Sequence, residues 1–294
     1  MARYTIAFLT LDEVGDYVID DEHASAPLDA LGWSVSTVSW RQDEIPWGHF
    51  DAVIIRSTWD YWDDLGAFLS VLEKIDRASR MANPLQLVSW NYRKTYMRDL
   101  ASRGVKIVPT LFPESVAPDS FGGWFGQHQC DELVIKPVVG ANGDDAYRVS
   151  KEAGTDRLEW IANRFRNKTA LVQPFMPNIL CEGEYSLFYF NGEFSHAIVK
   201  VPAGGEFRSQ EEHGAEIVAV EPEGRLRRRG RLALEAIDAA PLYARIDFVR
   251  DGNGDFALME QELIEPSLYL RMHAAAPERF ARAIDRWFSG GVVD

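Results

Sequence analysis

Residues Tyr243 to Leu270, YARIDFVRDGNGDFALMEQELIEPSLYL, leave few alternatives to a β-hairpin. Tyr243–Val249 and Phe256–Ile264 are rich in β-branched and aromatic residues, and Asp251-Gly252-Asn253-Gly254 between them is a turn sequence. With Val249 opposite Phe256, Asp247 faces Leu258, Arg245 faces Glu260 and Tyr243 faces Glu262. Side chains alternate with period two, so Asp247, Glu260 and Glu262 share one face with Arg245 among them. A slip of one residue breaks this arrangement, whereas a slip of two preserves it. Three carboxylates on one face repel each other, so something cationic belongs between them. Mg²⁺, a hard cation held by a few carboxylates plus substrate phosphates, fits such oxygen ligands. The other reading is a solvated acidic sheet face, and the hairpin alone leaves both open.

The length of 294 residues allows two or three modest domains, and 46% hydrophobic with 26% charged residues is ordinary globular composition. A net charge of −14 argues against nucleic acid and anionic membranes as partners. No apolar run is long enough to span a bilayer and no signal-peptide core opens the chain, so a cytoplasmic protein is expected. Cys130 and Cys181 have neither metal-ligand spacing nor a disulfide framework.

Along the chain, strands at Arg3–Leu9, Trp33–Trp40 and Phe50–Arg56 alternate with helical stretches at Glu22–Leu31 and Leu65–Ile75. That order predicts an α/β unit with a mostly parallel sheet. After its third strand comes Arg56-Ser57-Thr58-Trp59-Asp60-Tyr61-Trp62, where ligands gather in open α/β sheets. This run either lines a small-molecule pocket or packs against the next domain. A helix is expected over Ser89–Ser102 with Lys94 in its first half, then a strand at Val105–Pro109 and an unstructured Pro/Gly-rich loop at Pro113–Gly126. The strand Glu132–Lys136 feeds Pro137-Val138-Val139-Gly140-Ala141-Asn142-Gly143-Asp144-Asp145. Its glycines let the backbone approach phosphate oxygens, although a plain turn reads the same way. A helix at Thr155–Arg166, a strand at Ala170–Phe175, a hairpin of Tyr185–Phe190 with Phe194–Val201, and helices at Glu223–Ala239 and Pro277–Phe288 complete the reading. The basic run Arg225–Arg231 reads as a solvated helix face.

Taken in order, Lys94, ELVIKP with Lys136, the GANGDD loop, QPFMP, EGEYS, Lys200, Arg208 and IDF…MEQELIEP resemble the ATP-grasp superfamily over roughly residues 90 to 270. The nearest branch is glutathione-synthetase-like. RSTWDYW, EGEYSLFYFNGEFSHAIVK and MEQELIEPSLYL look closer still to a small branch that includes the O-ureidoserine cyclo-ligase of cycloserine biosynthesis. The resemblance implies an α/β (α+β) fold in three parts: an N-terminal α/β pre-grasp domain (1–88), a central domain with a mobile lid (89–177), and a C-terminal antiparallel-sheet catalytic domain (178–294). It implies ATP and two Mg²⁺ ions as cofactors. Lys94, Lys136 and Lys200 would grip the phosphates, and Gly140, Ala141, Asn142, Gly143 and Asp144 would cover them. Gln173, Pro174, Phe175 and Met176 would read adenine, with Glu184 on the ribose. Asp247, Glu260 and Glu262 would hold metal, the last standing where the branch's Glu-x-Asn motif carries Asn. Arg208 and Arg245 would steady the transferred phosphoryl group or the intermediate. Arg56, Ser57, Thr58, Trp59, Asp60, Tyr61, His213, Ser267 and Tyr269 are the acceptor-side candidates. The implied activity is carboxylate–amine ligation through an acylphosphate on an amino acid or small peptide, whether between molecules or as a cyclisation. A phosphotransferase and an idle nucleotide-binding regulatory domain are the rival readings. Homodimers are frequent among such ligases, but nothing in the sequence marks an interface.

Overall fold

Alternation along the first strand explains how the N-terminal part is built. In the computed structural model, which describes residues 3–15 and 17–290, β1 (Tyr4–Thr10) sends Ile6 and Phe8 to one face and Ala7 and Leu9 to the other, and all four are buried. α1 (Ser25–Ala30), β2 (Trp33–Ser39), β3 (Ala52–Ser57), α2 (Leu65–Ala78) and β4 (Arg80–Ala82) follow. The four strands form a parallel sheet in the order β2-β1-β3-β4. Ala7, Leu9, Val53 and Ile55 pack on Phe68, Leu72 and Ile75 of α2. Ile6, Phe8 and Ile54 pack on Leu28 and on the chain's last helix, through Phe280 and Ile284. Cover on both faces is what continuous apolar strands require.

The expected Ser89–Ser102 helix is instead α3 (Leu85–Asn91) and α4 (Tyr96–Ser102), with Lys94 in the break between them. There its backbone N–H donates to Val138 O at 2.7 Å, a tertiary bond that replaces a helical one. Val105–Pro109 is no strand; Ile107 makes a single bridge to Leu258. Part of the expected 113–126 loop is helical, α5 (Ser120–His128), because Phe121 and Phe125, four residues apart, bury one face despite the glycines. β5 (Glu132–Pro137), β6 (Tyr147–Ser150), α6 (Thr155–Arg164) and β7 (Ala170–Pro174) build an antiparallel sheet of order β6-β5-β7. Leu133 and Ile135 face the two helices, which turns Val134 and Lys136 to the other side.

A one-turn α7 (Asn178–Cys181) leads to β8 (Glu184–Phe190), β9 (Glu193–Val201), β10 (Glu216–Ala219), α8 (Gly224–Glu235), β11 (Tyr243–Arg250), β12 (Phe256–Glu262) and α9 (Ala276–Ser289). The strands make an antiparallel sheet, β10-β9-β8-β11-β12. Leu226 and Ala233 of α8 cover one face through Leu187, Ala197, Ile246 and Phe248. Arg225 and Arg229 are not merely solvated: they bind Gly254 O and the Asp255 carboxylate, tying α8 to the hairpin turn. Cys130 is half-buried and Cys181 exposed, both as free thiols. No helix among the described residues is long and apolar enough to cross a membrane.

His196 on β9 is a buried imidazole, stacked 4.2 Å from the Phe188 ring. Its Nε2 donates to Leu268 O at 3.0 Å, which leaves Nδ1 to accept from the Ser195 hydroxyl at 2.9 Å. Burial pushes its pKa from 6.5 down to about 4, against the pull of the Leu268 carbonyl. Below pH 6.5 the unfolded chain takes up a proton that the native site refuses, so stability should fall by roughly 3 kcal/mol as pH drops to 4. Urea unfolding across that range tests this: His196→Gln should remove the slope, and an unchanged slope would refute the assignment.

Candidate active site

The cleft lies between the face of the five-stranded sheet away from α8 and the face of the three-stranded sheet away from α5 and α6. Along the hairpin, Asp247 pairs with Glu260 and Arg245 with Glu262, not with Leu258 and Glu260 as expected from the turn. Two departures add. The turn closes with Arg250 opposite Phe256, one residue off, and a bulge between the Phe248–Leu258 and Asp247–Glu260 pairs accommodates Met259. The net slip of two leaves Asp247, Glu260 and Glu262 on the cleft face.

The cations between these carboxylates are side chains of the protein. Lys94 Nζ lies 2.9 Å from Glu260 Oε1 and Lys136 Nζ 3.6 Å from Oε2. Lys200 Nζ sits 2.5 Å from Glu184 Oε1, its cross-strand neighbour, and 3.6 Å from Asp247 Oδ2. Arg245 donates to Asp247 at 3.1–3.2 Å and also binds Glu262. The two sheets, with Lys94 from the break between α3 and α4, thus present four cations against four carboxylates. Burial alone would raise the Asp247 carboxyl, but Arg245 and Lys200 outweigh it and bring it down to about 2. Burial dominates at Glu262 and lifts it to about 7 in spite of Arg245. At Glu265, where burial is reinforced by Glu262, the pKa reaches about 8.

The glycine loop folds over this row. Lys94 Nζ donates to Gly140 O at 2.5 Å. Asn142 donates through Nδ2 to the Tyr17 hydroxyl at 2.8 Å, and its carbonyl lies 3.1 Å from His213 Nε2. At Gly143, with φ +70°, a Cβ would stand 3.0 Å from Arg208 Cδ and 3.1 Å from Gln210 Oε1, so any other residue would press these side chains back and strain the backbone. Beside the loop, Val134, Gln173, Pro174, Phe175, Met176, Ile179, Phe207 and Met259 line a largely apolar slot. Glu184 is buried and accepts from the Ser209 hydroxyl as well as from Lys200.

Gly183, with φ +95°, sets Glu184 against Lys200. A Cβ there would lie 2.6 Å from Lys200 O and 2.8 Å from Val199 Cγ2, which is backbone collision plus strain. Gly183→Ala should therefore cost about 3 kcal/mol or more in denaturant unfolding. A loss under about 0.5 kcal/mol would contradict this packing.

The acceptor-side candidates divide. Tyr61 lines the cleft. Arg56 is buried and binds Asp21 and Pro266 O, Ser57 bonds Thr10, Thr58 is fully buried, and the Trp59 indole donates to Glu265 O. Asp60 turns to Trp40 and Arg41. His213 reaches the glycine loop, Ser267 O accepts from Arg245, and Tyr269 is buried against Phe188. Sequence reasoning passed over Tyr17, Gln210, Ile179, Met259 and Glu265. Met259 reaches the cleft through the bulge, which strict alternation cannot show, whereas Glu265 was visible as one more carboxylate in MEQELIEP.

The donor set fits a polyphosphate carrying a divalent cation. Arg208 Nε and Gln210 Oε1 are buried beside the glycine loop without a hydrogen-bond partner among the described residues. No three His, Cys, Asp or Glu side chains among those residues form a ready-made metal cage. Mg²⁺ needs none, since one or two carboxylates and phosphate oxygens suffice.

A family model described as D-cycloserine synthetase DcsG, N-terminal domain, matches residues 6–83, and one described as prokaryotic glutathione synthetase, ATP-grasp domain, matches residues 124–231. The cycloserine biosynthesis protein DcsG of Streptomyces lavendulae is 28% identical over 268 residues, 86% of this chain and 89% of that protein. The crystal structure of D-cycloserine synthetase DcsG superposes with a TM-score of 0.84 at 25% identity, over 97% of this chain and 99% of that one. The ATP-grasp ligase PsnB, solved with a minimal precursor, Mg and ADP, shares the fold with a TM-score of 0.64 at 13% identity, over 96% of this chain and 97% of its own. Fold, domain matches and homology to DcsG agree that the chain has the ATP-grasp fold and is a homologue of ATP-grasp ligases.

Proposed function

We propose that the chain is an ATP- and Mg²⁺-dependent carboxylate–amine ligase that activates an amino acid or small peptide as an acylphosphate, with intramolecular ring closure as the form nearest to its DcsG relative. The observation that carries this reading is the facing row of Lys94, Lys136, Lys200 and Arg245 against Glu184, Asp247, Glu260 and Glu262 beneath a glycine loop. Phosphoryl transfer is mostly positioning and charge neutralisation, and this is equipment for both.

Lys94, Lys136 and Lys200 exchange their carboxylate partners for phosphate oxygens, while the amides of Gly140–Asp144 cover the chain of phosphates. The slot lined by Gln173–Met176 takes the adenine and Glu184 the ribose hydroxyls. Asp247, Glu260 and Glu262 would hold Mg²⁺, which would supply neutralisation of phosphate charge. Arg245 and Arg208 steady the phosphoryl group in flight, and the closed glycine loop keeps water from the acylphosphate. Residues 1–88, 89–177 and 178–294 are the proposed domains, each built round one of the three sheets.

The test is ADP release from Mg-ATP across free amino acids, dipeptides and O-ureidoserine, with phosphorus NMR and mass detection of products. ADP with inorganic phosphate, and either a cyclised product lighter by water or two substrates joined by an amide, is expected. ADP without phosphate, and an acceptor that gains phosphate mass, would replace the ligase by a phosphotransferase.

A further inference from the structure

The segment after β12 is held in an unusual way. Six consecutive carbonyls each accept from a distant side chain: Leu263 from Asn83 (2.7 Å), Ile264 from Tyr243 (2.8 Å), Glu265 from Trp59 (2.7 Å), Pro266 from Arg56 (2.9 Å), Ser267 from Arg245 (3.4 Å) and Leu268 from His196 (3.0 Å). Backbone with no ladder of its own is thereby fixed by side chains from two sheets and the strand end that follows β4. Arg56 and Trp59, from the aromatic run after β3, serve this strap.

One side chain on the strap is left out of the network. Glu265 is 7% exposed and lines the cleft, yet its carboxyl makes no hydrogen bond and no ion pair among the described residues. Tyr61 lines the same cleft, and its hydroxyl also makes no hydrogen bond among those residues. The two lie close enough that the Glu265 charge, after burial itself, raises the phenol's pKa. Burial keeps the partnerless Glu265 carboxyl mostly protonated near neutral pH, and an arriving cation would favour its ionised form; the backbone that carries it is fixed by the bonds just described. An ammonium group carries three donors on a single charge, which suits two oxygen acceptors at the end of an apolar wall. A phenol is no ordinary ligand of a hard divalent cation, which sets this pair apart from Asp247, Glu260 and Glu262.

We propose that Glu265, with Tyr61 beside it, receives the cationic amino group of the acceptor, so that the site selects amino-acid substrates with a free primary ammonium. This rests on the ligase reading of the cleft and names the substrate feature that the strap recognises.

The experiment follows binding of D- and L-alanine and D- and L-serine, each beside its N-acetyl derivative, by tryptophan fluorescence in the presence of Mg²⁺ and a non-hydrolysable ATP analogue. At least one free amino acid should bind the wild type, with its N-acetyl form 30-fold or more weaker. Glu265→Gln, which keeps the shape and removes the charge, should lose the same factor, and Tyr61→Phe a smaller one. Affinity for the ATP analogue should stay within twofold in both variants, which also shows that they fold. The assignment is overturned if no free amino acid binds, if the N-acetyl forms bind equally, if Glu265→Gln keeps its affinity, or if the loss falls on the nucleotide. Failure of the wild type to bind the ATP analogue would overturn the ligase reading and this assignment with it.

Discussion

Glu260→Gln is expected to lower ATP-dependent turnover about 10³-fold, the scale of losing one preorganised charge at a phosphoryl-transfer centre. Glu260 touches both Lys94 and Lys136 from β12, so it organises two phosphate-binding cations besides offering oxygens to a metal. Burial alone would make the Lys94 ammonium less stable, and Glu260 outweighs it so that the pKa ends raised. Glutamine keeps the volume and a hydrogen bond to Lys94, and Lys94 retains Gly140 O. The Glu260 side chain is 26% exposed, so water can replace part of the lost charge and the fold should persist. The check is steady-state turnover together with thermal unfolding. Turnover within tenfold of wild type would sink the role given to Glu260.

The second large effect is on stability. Lys200→Met should destabilise the protein by about 3–5 kcal/mol at pH 7, because it leaves Glu184 and Asp247 buried with half their compensation. Lys200 is 3% exposed, Glu184 8% and Asp247 1%, so water cannot substitute. Burial works against the Lys200 charge, but Asp247 and Glu184 prevail and raise its pKa above 10.5. Its contribution is therefore complete below pH 10.5 and is lost as pH climbs through the raised value. Asp247 runs the other way: its pKa is depressed from 3.8 to about 2, so its contribution is full above pH 3.8 and is lost as pH falls to 2. The gap between wild type and Lys200→Met should thus narrow in acid. Lys200→Met combined with Glu184→Gln should recover part of the loss, as coupled neighbours do. A deficit under about 1 kcal/mol at pH 7 would contradict the buried network.

Much of this architecture is legible in the sequence where local pattern and tertiary demand agree. β1, β3, β8, β9 and the β11–β12 hairpin all carry their period or their turn in plain view. Lys94 shows where agreement ends: the stretch 89–102 is helical in pattern, but a bond from Lys94 N to Val138 O takes the chain out of the helix. α5 was hidden by its glycines, since Phe121 and Phe125 reveal their purpose only against β5 and β7. Hairpin register is another case. The turn and the bulge at Met259 each shift pairing by one, and period two hides the sum. At the site, the sequence shows which residues carry charge but not which charges meet. The aromatic run Arg56–Trp62 reads equally as a pocket wall or as packing against the next domain; Arg56 and Trp59 hold the strap that carries Glu265, and Tyr61 lines the cleft.

The central claim is that the cleft between the two antiparallel sheets is a Mg-ATP site assembled from these exchanged ion pairs. Calorimetric titration of ATP with and without Mg²⁺, on the wild type and on Glu260→Gln, tests it most directly. ATP should bind the wild type at least tenfold more tightly with Mg²⁺ than without, on the scale of one charge-assisted contact network, and Glu260→Gln should lose most of that difference. No ATP binding, or equal affinity with and without Mg²⁺ in both proteins, would contradict the account.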